Sequence, residues 1–298
     1  MRRVYVLTCL IAGLLALPAG AQARYLTGFS ENNPAMFDSP LFTALGTPIA
    51  RYVLPWDFFS QQRDKANFDT WVAKAKLDGV RPLVSFYVSR VKPKKLPSPA
   101  QFERMFRRFR SEYPTVKDVS PWNEANAVRR SRFANPNARQ AATFYKIVKR
   151  RCSGCKIVGL DVLDSQNVAA TVSYIKQFQR ALHGKGLPKI WGLHNYSDTN
   201  RFRNKGTKAV LRAVKGEVWL TETGGVVQFG RGFPYDEQRA AKALRYMFKL
   251  AASNPRLKRL YIYQWFGAPP HWSFDAGVVD INGNPRPGYQ VVKDKLAP

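Results

Sequence analysis

Short apolar runs alternate along the chain with stretches whose apolar residues recur every three to four positions. Eight of the runs read as strands: RYLTGFS (Arg24 to Ser30), PIARYVLPW (Pro48 to Trp56), VRPLVSFYV (Val80 to Val88), VKDVSPW (Val116 to Trp122), KIVGLDV (Lys156 to Val162), KIWGLHNY (Lys189 to Tyr196), EVWLTE (Glu217 to Glu222) and RLYIYQW (Arg259 to Trp265). Helical patterns lie between them. In SPAQFERMFRRFRSEY, Ser98 precedes Pro99 at a favourable first helical position; in NVAATVSYIKQFQRALHG, Val168, Val172, Ile175, Phe178 and Leu182 keep helical spacing up to Gly184. Strands that alternate with helices imply a mainly parallel sheet covered by helices. Eight of them over about 275 residues fit an α/β fold of the (β/α)8 TIM-barrel type in a single domain. An open doubly wound sheet is the alternative, and no Gly-rich phosphate turn follows the first strand to favour it.

The N-terminus departs from this alternation. MRRVYVLTCLIAGLLALPAGAQA carries Arg2 and Arg3, an apolar run from Val4 to Leu17, the breaker Pro18-Ala19-Gly20, and a small-x-small pattern ending at Ala23. The apolar run is shorter than the roughly 20 residues of a spanning helix, so it reads as a secretory signal. The expected organisation is a signal peptide over residues 1–23 and a catalytic barrel over 24–298, secreted or periplasmic, with no membrane segment after signal removal. With 45% hydrophobic residues in 298, the chain has material for one large core, and a folded chain rather than a disordered one is expected.

Export changes how the cysteines read. Cys9 leaves with the signal, and Cys152 and Cys155 remain in RRCSGCKIVG. A lone C-x-x-C lacks the two further ligands of a structural zinc site, and an oxidising compartment favours a small disulfide closing the turn between a helix and the next strand. His183, His194 and His271 lack ligand spacing, so no metal and no cofactor are expected.

Charge adds a partner class but does not choose within it. The formal net charge is +28, and removing Arg2 and Arg3 leaves +26. Basic clusters recur at Arg90 to Lys95, Arg104 to Arg110, Lys146 to Arg151 and Arg201 to Lys208. Such a surface attracts anionic polymers electrostatically. Where the charges interleave with Met105, Phe106, Phe109, Ile147 and Val148 they read as solvated faces of amphipathic helices, so no specific nucleic-acid site is expected.

In a barrel of this kind, catalytic groups gather at the C-terminal ends of the strands. Strand two ends near Arg51, Trp56 and Asp57; strand four ends in Trp122-Asn123-Glu124; strand six in His194-Asn195-Tyr196; strand seven in Thr221-Glu222-Thr223; strand eight in Gln264-Trp265. Taken alone, Glu124 reads as a helix cap or a surface ion pair, Glu222 as a buried partner of Arg51, His194 as a satisfied core histidine, and Trp265 as barrel packing. Together, two carboxylates facing one pocket suit glycoside hydrolysis, in which one carboxylic acid protonates the departing oxygen and the other carboxylate attacks the anomeric carbon. Arg51, His194 and Tyr196 hold a carboxylate ionised, as a nucleophile requires.

At these residues the chain resembles clan A of the glycoside hydrolases, retaining (β/α)8-barrel enzymes, over nearly all of its length after the signal. The resemblance rests on Asn123-Glu124, the H-x-Y of His194 to Tyr196, Glu222 and Trp265. It implies Glu124 as acid/base, Asn123 as binder of the sugar 2-hydroxyl, Glu222 as nucleophile with Tyr196 and Arg51 as its partners, and Trp265 as floor of the subsite for the attacked sugar. Trp56 and His194 join the expected substrate-binding set. The tail GVVDINGNPRPGYQVVKDKL also resembles the closing turn and last helix of such enzymes. The chain departs from the clan pattern in Asn-Glu-Ala where many members have Asn-Glu-Pro, and in Phe86-Tyr87 where a histidine is often seen. The family within the clan therefore stays open. The implied activity is cleavage of β-glycosidic bonds in an oligo- or polysaccharide by double displacement; the alternative is a barrel that binds carbohydrate or polyanions without catalysis.

Overall fold

The computed structural model describes residues 25–127, 133–269 and 271–297. The expected signal segment lies outside them. Ten strands form: β1 (Leu26–Ser30), β2 (Ile49–Pro55), β3 (Arg81–Tyr87), β4 (Asp118–Ser120), β5 (Lys156–Leu163), β6 (Ile190–His194), β7 (Glu217–Thr223), β8 (Gln228–Phe229), β9 (Leu257–Ile262) and β10 (Phe274–Asp275). The helices are α1 (Pro40–Thr43), α2 (Gln62–Leu77), α3 (Pro99–Glu112), α4 (Ala138–Arg151), α5 (Val168–Ala181), α6 (Tyr196–Asn200), α7 (Lys205–Ala213), α8 (Glu237–Ala252) and α9 (Pro287–Leu296). Eight strands close in the order β1-β2-β3-β4-β5-β6-β7-β9, all paired in parallel, while β8 and β10 pair antiparallel as a separate ribbon. The expected TIM barrel is thus the fold, and all eight expected strands are its staves.

Period-two alternation sorts the staves' side chains. On β2, Ala50 and Tyr52 point outward, and Tyr52 packs edge-on against Phe68 and Trp71 of α2. Ile49 points inward and shares a fully buried layer with Leu83, Val158, Trp219 and Tyr261. One step toward the C-terminal end, the inward positions turn polar: Arg51, Ser85, Asp161 and Thr221 are all fully buried. The barrel is therefore sealed by an apolar layer below and carries its chemistry above. At Gly192 a Cβ would lie 2.3 Å from Asp161 Oδ1, so only glycine leaves room for that acid.

Outside, α3 begins with a Ser98/Gln101 capping box and lays Phe102, Phe106 and Phe109 against Phe86 of β3. On α5 the buried face is Thr171, Ile175 and Phe178, with Leu182 as buried C-cap; Val168 and Val172 of the expected stripe are only half-buried. Cys152 and Cys155 are joined in a disulfide between α4 and β5.

Candidate active site

The site assembles around Arg51, whose side chain is completely buried at the centre of the barrel. Its guanidinium donates to groups from five staves or the turns that follow them. Nε reaches Ser85 Oγ at 3.1 Å; Nη1 reaches Ser30 Oγ at 2.9 Å and Glu222 Oε2 at 2.7 Å; Nη2 reaches Asn123 Oδ1 and, at 3.4 Å, Asp161 Oδ2. Burial by itself would lower the Arg51 pKa, but Glu222 and then Asp161 hold it above its ordinary value, so the cation is permanent.

His194, at the end of β6, is equally buried. Its Nδ1 lies 3.1 Å from Glu124 Oε1 and its Nε2 lies 3.2 Å from Asp161 Oδ1. Burial again works against the charged ring, yet the Asp161 and Glu222 carboxylates and the bonds to Asp161 and Glu124 raise its pKa to about 10. The ring is an imidazolium at neutral pH, with both nitrogens donating. Asp161 is correspondingly held below the usual carboxylate range: burial opposes its charge, but His194, Arg51 and a 2.5 Å bond from Thr221 Oγ1 outweigh it.

Glu124 sits in a turn that local bonds define closely. Asn123 N donates to Phe86 O at 2.7 Å, Ala125 N to Asp161 O at 2.9 Å, and Asn126 clasps β5 through Leu163 N and O. Glu124 itself adopts φ 46°, the left-handed region that costs a non-glycine residue on the order of 1 kcal/mol. The helix-cap reading of this acid fails, because α4 starts at Ala138 and Asn137 caps it in a box with Gln140. Glu222 meets Arg51 on one oxygen and accepts from the Tyr196 hydroxyl at 3.0 Å on the other. Burial, and then Glu222, push the Tyr196 hydroxyl well above its usual pKa, so it remains a donor. One carboxylate oxygen each from Glu124 and Glu222 and a ring nitrogen of His194 all lie within 4.8 Å of one another.

Two acids and a histidine at that spacing also resemble a metal site. Without such an ion, His194 Nδ1 lies 3.1 Å from Glu124 and 3.8 Å from Glu222, so the trio is two carboxylates beside one ring nitrogen.

Arg51, Asn123, Glu124, His194, Tyr196 and Glu222 thus come together as the sequence suggested. Trp56 lies half-buried at the rim beyond β2, its Nε1 without a hydrogen bond among the described residues. Trp265 departs from its expected place as a sugar floor. It is fully buried, edge-on to Phe29, Phe42 and Tyr289, and offers no face to a ligand. Tyr263, half-buried, is the aromatic of that segment near the acids; burial and then Glu222, Glu31 and Glu124 raise its hydroxyl pKa. Sequence reasoning missed Asp161, the acid that anchors both Arg51 and His194. An aspartate inside the apolar run KIVGLDV was its signal, because a buried carboxylate in a parallel stave needs a cation beside it. Also missed was Glu31 beyond β1, which accepts from the backbone N–H groups of Asn33 at 2.9 Å and Phe266 at 3.2 Å.

The family model described as the glycosyl hydrolase catalytic core matches residues 99–287, well over half of the chain and including both acids. The chain belongs to this family. It is a glycosidase, and the clan A resemblance agrees with that membership. No curated protein matches the glycosidase by sequence. Solved structures similar to it include xylanase 10B from Thermotoga maritima, 13% identical over 92% of this chain and 95% of that one, with TM-score 0.63. A GH5_18 protein from Streptomyces cattleya in complex with Manb1-4GlcNAc is 12% identical over 91% and 80%, TM-score 0.66. A family 39 glycoside hydrolase from the gut symbiont Bacteroides cellulosilyticus WH2 is 14% identical with TM-score 0.62; 91% of this chain is covered, and it spans only 63% of that enzyme. At such identities the likeness is one of fold.

Proposed function

We propose that this glycosidase is secreted and cleaves β-glycosidic bonds of an oligo- or polysaccharide with retention, Glu222 acting as nucleophile and Glu124 as acid/base. The observation that carries the reading is the approach of the two carboxylates, with oxygens within 4.8 Å. Retaining enzymes hold their carboxyl groups about 5–5.5 Å apart, whereas inverting ones leave roughly 6.5–9.5 Å for a water.

The surroundings divide the labour. Arg51 and Tyr196 each bond one oxygen of Glu222, which fixes the carboxylate and aims it at the anomeric carbon. Glu124 protonates the leaving oxygen in the first step and takes a proton from water in the second. His194 between them favours transfer of charge from one acid to the other as the glycosyl-enzyme forms and breaks. Asn123, fixed by Arg51, is placed beside both acids to meet a sugar hydroxyl.

Turnover of at least one member of a panel of aryl β-glycosides, lost in the Glu222→Gln variant, is the expected result. Failure across β-gluco-, xylo-, manno- and galactosides, with α-glycosides cleaved instead, would contradict the linkage. Export rests on the leader-like residues 1–23 and on the Cys152–Cys155 disulfide. Intact mass of protein recovered outside the cytoplasm should lack those residues and two hydrogens; a full-length, reduced mass would overturn it.

A further inference from the structure

The mouth of the barrel carries aromatic surface on two sides, and neither serves the acid pair itself. On one side stands the β8–β10 ribbon, where Phe274 faces Phe229 in register. The Phe274 ring meets Tyr196, the hydroxyl partner of Glu222, edge-on at 6.0 Å, and Phe229 at 5.4 Å. Phe229 is 55% exposed, and Trp272, two residues before Phe274, is 58% exposed. An aromatic path therefore leads outward from Glu222 to solvent.

That path is held rigidly although the ribbon is only two residues wide. Arg286, almost fully buried, grips both oxygens of buried Asp275 at 3.0 and 2.9 Å, and Val227 N donates to Asp275 O at 2.8 Å. A buried ion pair under two exposed rings fixes the platform before any ligand arrives, which lowers the ordering cost of binding. Exposed rings with no packing partner above them otherwise weaken solubility.

On the other side, Tyr87 ends β3 and lies 6.5 Å from Phe133 with the rings tilted by 34°. Trp56 stands beside them, its backbone N–H donating to Tyr87 O at 2.9 Å. The ribbon strand β8 follows β7, and in the closed order β3 and β7 are four staves apart, so the walls rise from opposite sides of the mouth that holds Glu124 and Glu222.

We propose that the two aromatic walls are sugar subsites on either side of the cleaved bond, and that the glycosidase binds an internal stretch of a β-linked polysaccharide. The inference rests on the catalytic reading above and extends it. Ring faces stack on the C–H faces of pyranoses without regard to charge. A pocket built for a terminal sugar needs one wall; an open groove for a chain needs both.

Affinity electrophoresis through gels holding laminarin, barley β-glucan, xylan or glucomannan reads binding without catalysis, and these neutral polymers remove the contribution of the protein's own charge. We expect retardation in at least one of them, reduced about tenfold or more in a Phe229→Ala/Trp272→Ala variant, since about 1.4 kcal/mol of lost stacking is tenfold in affinity. A Leu77→Ala control, an exposed residue at the end of α2, should migrate as wild type. On the oligosaccharide ladder of the retarding polymer, kcat/KM should rise about tenfold from disaccharide to hexasaccharide, with products released from within the chain. The double variant should lose much more on the hexasaccharide than on an aryl monoglycoside. No retardation, a flat ladder with single terminal sugars released, or equal losses on long and short substrates would overturn the proposal. A wild-type dimer that dissociates in the double variant would do so too, because a second copy would then cover the ribbon. Aryl-glycoside turnover with a flat ladder sinks only this inference, whereas retardation without any turnover sinks only the catalytic one.

Discussion

Replacing Glu222 by alanine is expected to lower kcat by on the order of 10⁵-fold on every β-glycoside the protein cleaves, the scale of losing a covalent nucleophile. Glu124→Ala should fail differently. Removal of a general acid costs roughly 10²–10⁴-fold where the leaving group is poor, and far less on an activated aryl glycoside that departs unprotonated. Such substrates let Glu124→Ala accumulate glycosyl-enzyme, because the base of the second step is missing. Added azide should then attack that intermediate and return a β-glycosyl azide. In Glu222→Ala the same anion can attack only from the vacated face and give the opposite anomer. Near-wild-type turnover of unactivated substrates by either variant would remove that residue from the mechanism.

Arg51→Met should be among the most destabilising single changes in the protein. The methionine fills similar volume but removes the guanidinium donor shared by Asn123, Ser30 and Ser85 and leaves Glu222 with the Tyr196 hydroxyl alone of its two partners. Breaking one partner of a buried ion pair costs about 3–5 kcal/mol, and a denaturant midpoint should register it; a loss below about 1 kcal/mol would show that the network contributes little. The same network sets a pH window for stability. His194 has a folded pKa of about 10 against 6.5 when exposed. Its contribution is full below pH 6.5 and is lost as pH rises through about 10. Asp161 acts in the opposite sense: its pKa is depressed, so its contribution holds above 3.8 and is lost as pH falls below that. Asp164, raised to about 7 by burial, removes stability between pH 3.8 and 7 and so leaves the upper window to His194. Unfolding free energies at pH 7, 8.5 and 10 should fall progressively, and His194→Gln should flatten the fall.

The barrel was legible because its signal is periodic and repeated. Each stave alternates faces, so Ile49, Arg51 and Leu83, Ser85 could be assigned to the interior from spacing alone once the strands were found. The acid pair was legible for a related reason: Glu124 and Glu222 close two different staves, and strand ends share a face. What escaped reading depended on contacts distant in sequence. Asp161 looks like any residue of a strand until Arg51 and His194, more than thirty positions away in either direction, are seen beside it. The clan resemblance implied Trp265 as a sugar floor, yet Phe29, Phe42 and Tyr289 enclose it and Tyr263 lies near the acids instead. The ribbon that carries Phe229 and Phe274 joins two loops 45 residues apart, and no local pattern announces a pairing two residues long.

The account stands most directly on the stereochemistry of the first product. Proton NMR during hydrolysis of an activated aryl β-glycoside should show the β-anomer first, with the α-anomer appearing only as mutarotation proceeds, because acids whose oxygens come within 4.8 Å suit direct attack by Glu222 rather than a water between Glu222 and the anomeric carbon. The α-anomer first would contradict double displacement and take the nucleophile's role away from Glu222.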